Sequence, residues 1–197
     1  MSIAALNNTF TPGTQVGTVN SSKNGNGVFE RILSDTNGQK SINTQVTYDN
    51  GTTTDRVKTW NANGTVTITN SKDGTQTSQK TITQDGDGSE TISITGKNGK
   101  TKTIDETVIT NEDGTKTISG TITLANGNTE TLAGTVSQIA GGRDKSITIT
   151  KDDGKNAGEQ KSVDRQRVVD GNVTTYSTTG TNFNGSSIDS NSTWTTV

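Results

Sequence analysis

Apolar and hydroxyl side chains alternate along most of this chain, as in Thr65-Val66-Thr67-Ile68-Thr69, Thr91-Ile92-Ser93-Ile94-Thr95 and Thr117-Ile118-Ser119. Successive side chains of an extended strand point to opposite faces, so these runs place Ile, Val and Leu on one face and Thr or Ser on the other. Such a period of two predicts half-buried β-strands. No segment carries a convincing helical period. Glu159 to Val169 comes nearest, and its Val163, Val168 and Val169 suit a strand better.

The strands are punctuated by Asn-Gly and Asp-Gly. These dipeptides place glycines at Gly38, Gly51, Gly64, Gly74, Gly86, Gly99, Gly114, Gly127, Gly154, Gly171 and Gly185, usually about 13 residues apart. Gly141-Gly142 fills the one missing step. Asn or Asp followed by Gly suits a two-residue type I′ hairpin, whose central residues both need positive φ. We therefore expect Gly51, Gly64, Gly74, Gly86, Gly99, Gly114, Gly127, Gly154 and Gly171 to be the structural turns of the array.

A longer phrase recurs around these turns. Thr81-Ile82-Thr83, Thr121-Ile122-Thr123 and Thr148-Ile149-Thr150 each precede a turn, and Thr91-Ile92, Thr103-Ile104 and Thr131-Leu132 each follow one. The pattern predicts an all-β repeat protein, a Thr-rich antiparallel meander of hairpins, with a β-solenoid as the alternative. The uneven spacing favours the meander, because a hairpin array absorbs it by changing strand length.

The ends differ from the middle. Residues 1–33 hold Ile3, Leu6, Phe10, Val16 and Val19 ahead of the glycine-rich Asn24-Gly25-Asn26-Gly27, which reads as an apolar arm followed by a hinge. Residues 34–171 form the hairpin array, and 172–197 read as one or two further strands. These three segments are the expected domain organisation.

Composition narrows the chemistry. The 197 residues include no His and no Cys, so no Ser-His-Asp or Cys-His nucleophile and no zinc site of the usual ligands can be assembled. Hydrophobic residues reach 24%, which predicts a thin core. A formal net charge of -2 gives no overall basic character for nucleic acid, and no apolar run is long enough to cross a bilayer as a helix. Met1 to Leu6 lacks the basic flank and apolar length of a signal peptide.

Three candidate sites have plainer explanations. Asp85-Gly86-Asp87-Gly88-Ser89-Glu90 alternates oxygen ligands as a calcium loop does, but it lacks the glycine and glutamate that an EF-hand requires later, so a hairpin turn with solvated acids is expected. The acid pairs Asp105-Glu106, Glu112-Asp113 and Asp152-Asp153 are neighbours in sequence, so those in strands diverge instead of converging as in glycoside hydrolysis. The Thr-x-Thr runs resemble the flat Thr ladders of ice-binding antifreeze proteins, and that resemblance implies an ice-binding function as a minor alternative. Lys, Gln, Glu and Asp interrupt the ladder along the sequence.

The resulting expectation is a non-catalytic protein without cofactor or metal, acting as the self-assembling subunit of an extracellular or cell-surface filament. An array of polar strands with few prolines leaves edges open to another copy. Ile3, Leu6, Phe10, Val16 and Val19 are the candidate subunit interface, donated head to tail into the next copy's sheet. The rival expectation is a binding module, such as an adhesin, phage-fibre or matrix domain, that presents its Thr-rich face to a glycan or a surface.

Overall fold

A computed structural model describes residues 11–85, 89–154 and 156–197. Alternating sequence becomes strand throughout, in the order β1 Gly13–Ser21, β2 Gly25–Thr36, β3 Gln39–Tyr48, β4 Thr53–Trp60, β5 Val66–Lys72, β6 Thr75–Gln84 and β7 Ser89–Gly96. The second half continues as β8 Thr101–Thr110, β9 Lys116–Thr123, β10 Thr129–Ile139, β11 Gly142–Lys151, β12 Gln160–Asp170, β13 Val173–Thr181 and β14 Ser187–Thr196. Each strand pairs antiparallel with the next, and β1 pairs with β14, so the meander closes into a barrel. The solenoid alternative is overturned, because reversing turns make antiparallel neighbours where a solenoid stacks parallel rungs.

Closure also revises the picture of the ends. The expected hinge Asn24 to Gly27 is the β1–β2 turn and the start of β2. Val16 and Val19 lie in β1, which is hydrogen-bonded on one side to β2 and on the other to β14. Ile3, Leu6 and Phe10 lie outside the described residues, as does Gly86. The open edges expected from the sequence are therefore used up within the described sheet.

The turns differ in kind from the expected I′ series. Asn37-Gly38 and Asp73-Gly74 have positive φ at both residues, as I′ demands. At Gly51, Gly64, Gly99, Gly114, Gly127 and Gly185 only the glycine is positive. There the amide of Gly64 bonds back to the Asn61 carbonyl and the Asn61 amide to the Thr65 carbonyl, a type I turn closed by a glycine bulge. The preceding Asn or Asp is held by its side chain instead: Asn63 Oδ1 accepts the Thr65 amide at 3.1 Å, and Asp113 Oδ1 accepts that of Thr115 at 2.9 Å. Gly171 takes the first position of the β12–β13 turn, and its positive φ there is that of a II′ turn.

Nothing in the described chain covers the outside of the barrel, so buried side chains face inward. They form two separate cores on opposite parts of the wall. Val19, Phe29, Val46 and Tyr48 pack with Trp194 on β14 and β1–β3. Ile118, Ile122 and Leu132 pack with Ile104, Val108 and Ile147 on β8–β11. Glycines let the wall bend sharply: a Cβ on Gly17 would collide with the Thr195 carbonyl oxygen, and one on Gly120 with that of Asp105. Thr77 forms a bulge where the β5–β6 register shifts, and its hydroxyl bonds the Asn70 carbonyl at 3.1 Å.

Candidate functional site: a cationic lumen

Strand register fixes the face of every side chain, and it sorts charge by sign. Starting from buried Val19 and Phe29 and following the Cα partners around the sheet, every Lys and Arg within a strand falls on the inward face. These are Arg31, Lys40, Arg56, Lys58, Lys72, Lys80, Lys102, Lys116, Arg143, Lys145, Lys151, Lys161, Arg165 and Arg167. The outward strand positions carry Thr and Ser with Glu30, Asp55, Asp105, Asp144, Asp164, Asp170 and Asp189. Asp35, Glu90, Glu106 and Glu130 are the strand acids that share the interior.

Arginines and lysines concentrate where β11 and β12 run side by side. Arg143 pairs in register with Arg167, and Lys145 with Arg165, so two like-charged pairs sit directly opposite one another. Such an arrangement is unfavourable in a sheet. Across the lumen from this block stand Arg56, Lys58 and Lys80. Lys58 lies within the electrostatic reach of Arg143, and Lys80 within that of Lys145, although their strands are not neighbours. Burial, reinforced by Arg56, Arg143 and Lys80, holds the Lys58 amine below its ordinary range. Burial does the same to Lys80 and Lys145, and the carboxylates of Glu106 and Glu90 oppose it. Arg56 is also lowered by burial, against the pull of Tyr176.

A cavity of about 1120 Å³ opens into this interior, reached by Arg167 from the block and by Arg56 and Lys58 from the facing wall. It runs from Lys23 and Asn24 in the β1–β2 turn to Gln15, Leu33 and Ile42, and it is lined by Arg31, Arg56, Lys58, Lys72, Arg167, Tyr176 and Trp194. Asp55 borders it from an outward strand position, its carboxylate bonded to Gln45 on the outer wall. Aromatic rings hold several of the cations. The Arg31 guanidinium lies 5.6 Å from the centroids of both Phe29 and Trp194, and its Nε donates to Thr44 Oγ1 at 3.2 Å. Lys58 Nζ lies 4.2 Å from the Trp60 ring centroid. Arg56 Nη1 donates to Asn70 Oδ1 at 3.3 Å. The ion pair found among the described residues, Lys151 with Glu159 at 2.7 Å, is outside this cavity.

The candidate sites read from the sequence fall elsewhere. Glu90 faces the lumen and accepts a bond from Gln84 at 3.2 Å, whereas Asp85 accepts the Thr91 hydroxyl at 3.2 Å in the turn, so the two ends of the candidate calcium loop point apart. Gly86, Asp87 and Gly88 lie outside the described residues. Asp105 points outward and Glu106 inward, while Asp152 and Asp153 accept bonds from Thr131 and Thr129 on the outer wall. Strand lysines do not interrupt the Thr ladder, contrary to the linear reading, because they belong to the apolar face. A signal for this was present: Lys80, Lys102 and Lys145 each stand two residues before an Ile, and Lys161 two before Val163.

No family model, curated protein or solved structure matches the chain.

Proposed function

We propose that this barrel is a non-catalytic binding module whose ligand enters the lumen. The reading rests on the inward placement of every strand Lys and Arg, five of which, Arg31, Arg56, Lys58, Lys72 and Arg167, line an open cavity. A purely structural barrel gains nothing from turning its cations away from water, and charges gathered and shifted in a concave site are a mark of recognition. The outer wall of Thr, Ser and Asp faces water well and lacks the apolar band of a lipid-facing barrel. No helix among the described residues is long and apolar enough to cross a membrane. An extracellular or cell-surface setting is part of this proposal.

An engineered thiol tests whether the lumen is open. The chain has no Cys, so Ser192→Cys places one unique thiol in the cavity lining. It should react with a small maleimide at a rate close to that of Lys100→Cys in the exposed β7–β8 turn. A Ser192→Cys thiol that stays inert in folded protein would overturn the reading.

A filament subunit is the second reading, and the β1–β14 seam favours it. That seam pairs five residues, Gly17 to Ser21 with Ser192 to Thr196, and is extended by the Val197 amide on the Val16 carbonyl and the Ser22 amide on the Asn191 carbonyl, whereas β1 pairs with β2 over its full length. Opening it would free β1, with Val16 and Val19, to pair with another copy by strand exchange. Thr18 and Thr195 are register partners. Linking them as Thr18→Cys/Thr195→Cys should abolish any fibre formation, and a locked barrel that still makes fibres would refute exchange at this seam.

A further inference from the structure

We propose that the lumen selects a compact multivalent oxyanion, one bearing several phosphate or carboxylate groups, and holds it between the β11–β12 arginine block and Arg56 and Lys58 on the facing wall. This assignment rests on the binding-module reading above. The like-charged register pairs Arg143 with Arg167 and Lys145 with Arg165 are its foundation. Placed side by side, such pairs repel, and an anion between them turns each repulsion into two attractions. A monovalent ion would leave most of the block uncompensated. A ligand with several oxyanions spaced a few ångströms apart can address both walls together.

Donor geometry agrees with this class. Guanidinium groups present forked N–H donors that match phosphate and carboxylate in bidentate fashion. Arg56, Arg143, Arg165 and Arg167 are exposed despite their inward register, so their donors are accessible, and Arg56 and Arg167 line the cavity itself. Arg31 is different, since its Nε is committed to Thr44 and its plane is flanked by Phe29 and Trp194, which makes it a positioned wall element. The cavity of about 1120 Å³ suits a small ligand of this kind and is too small for a folded macromolecule. Of the four acids of the described interior, Glu130 stands opposite Lys151 in register and Asp35 opposite Lys40, while Glu90 and Glu106 stand opposite each other and offset charge at Lys145, two carboxylates against the four cations of the block.

Tripolyphosphate and citrate are the probes, read by Trp194 fluorescence in a Trp60→Phe background and by calorimetry. Both chemistries satisfy the proposal, and their relative affinity separates a phosphate from a carboxylate ligand. Binding should weaken steeply with added salt. Arg143→Gln/Arg167→Gln should lose at least about tenfold in affinity, as expected when charge-assisted bonds are removed, while its melting temperature stays level or rises. Lys100→Gln, a turn cation outside the lumen, should bind as the parent does. Unchanged affinity in the double variant, or equal loss in Lys100→Gln, would overturn the proposal. So would failure to bind either probe when Ser192→Cys still labels, an outcome that leaves the binding-module reading standing.

Discussion

At the scale of single residues, the turn glycines carry a backbone requirement that no L side chain meets cheaply. Gly99 and Gly114 hold φ of 73° and 81° with open space where a Cβ would sit, so the cost of substitution there is conformational and not a clash. Gly99→Val or Gly114→Val should destabilise by about 1 kcal/mol or more. Thr101→Ser keeps the hydroxyl that meets Thr95 at 2.8 Å and should change the melt little. Gly120 is a different case, because a Cβ meets the Asp105 carbonyl of the neighbouring strand. Gly120→Ala should therefore cost more than an alanine at an open turn, and equal melting midpoints for the two would argue against a bend at this point. Gly99 and Gly114 were legible as turn residues from their Asn-Gly and Asp-Gly dipeptides. Their turn type was not, because Asn and Asp serve both a left-handed residue and a side-chain acceptor for the amide two residues on.

At the scale of elements, the hairpins are local and the closure is not. Each hairpin is specified by its own turn and alternation, which is why the strands through β12, β13 and β14 follow the sequence pattern closely. The seam between β1 and β14 joins residues nearly the whole chain apart, with the Asn191 amide donating to Ser22 Oγ at 2.9 Å beside it. Deleting 187–197 exposes an edge of β13 and of β1 and removes Trp194 from its contact with Phe29, whose ring centroid lies 4.9 Å away. Such a truncation should lose cooperative unfolding and aggregate, since uncovered edges recruit other chains. A truncated chain that melts as a soluble monomer, measured by sedimentation and circular dichroism, would show the seam to be dispensable.

At the scale of the whole molecule, the interior charge makes stability depend on pH in an unusual direction. Lys58, Lys80 and Lys145 have folded pKa values below the ordinary 10.5, and the unfolded chain regains that value. Between the folded and unfolded values the unfolded state binds more protons, so stability rises with pH in that window. Below the folded values both states are charged and the penalty is present in full. The barrel should therefore grow more stable as the pH climbs toward 10.5, and Lys80→Met should raise the melting temperature at neutral pH and reduce that climb. A parent melting temperature that falls steadily above neutrality, with Lys80→Met no more stable, would contradict this account. An exposed patch of Val16, Val28 and Ile32, at 48%, 59% and 39% exposure, is the apolar part of the β1–β2 outer wall.

The sequence by itself determined the strands, their antiparallel succession and the division of each into an apolar and a hydroxyl face. All of these follow from neighbours two residues apart and from turns of a few residues. Closure was decided only in the tertiary structure, because the meeting of β1 with β14 depends on curvature accumulated over every strand between them. The location of the site was decided there as well. A Lys two residues from an Ile shares its face in any strand, but whether that face meets solvent, another sheet or a lumen depends on what lies opposite. Closing the wall turned scattered lysines and arginines, nearly neutral in the overall count, into a cationic interior with an acidic and hydroxylated outside.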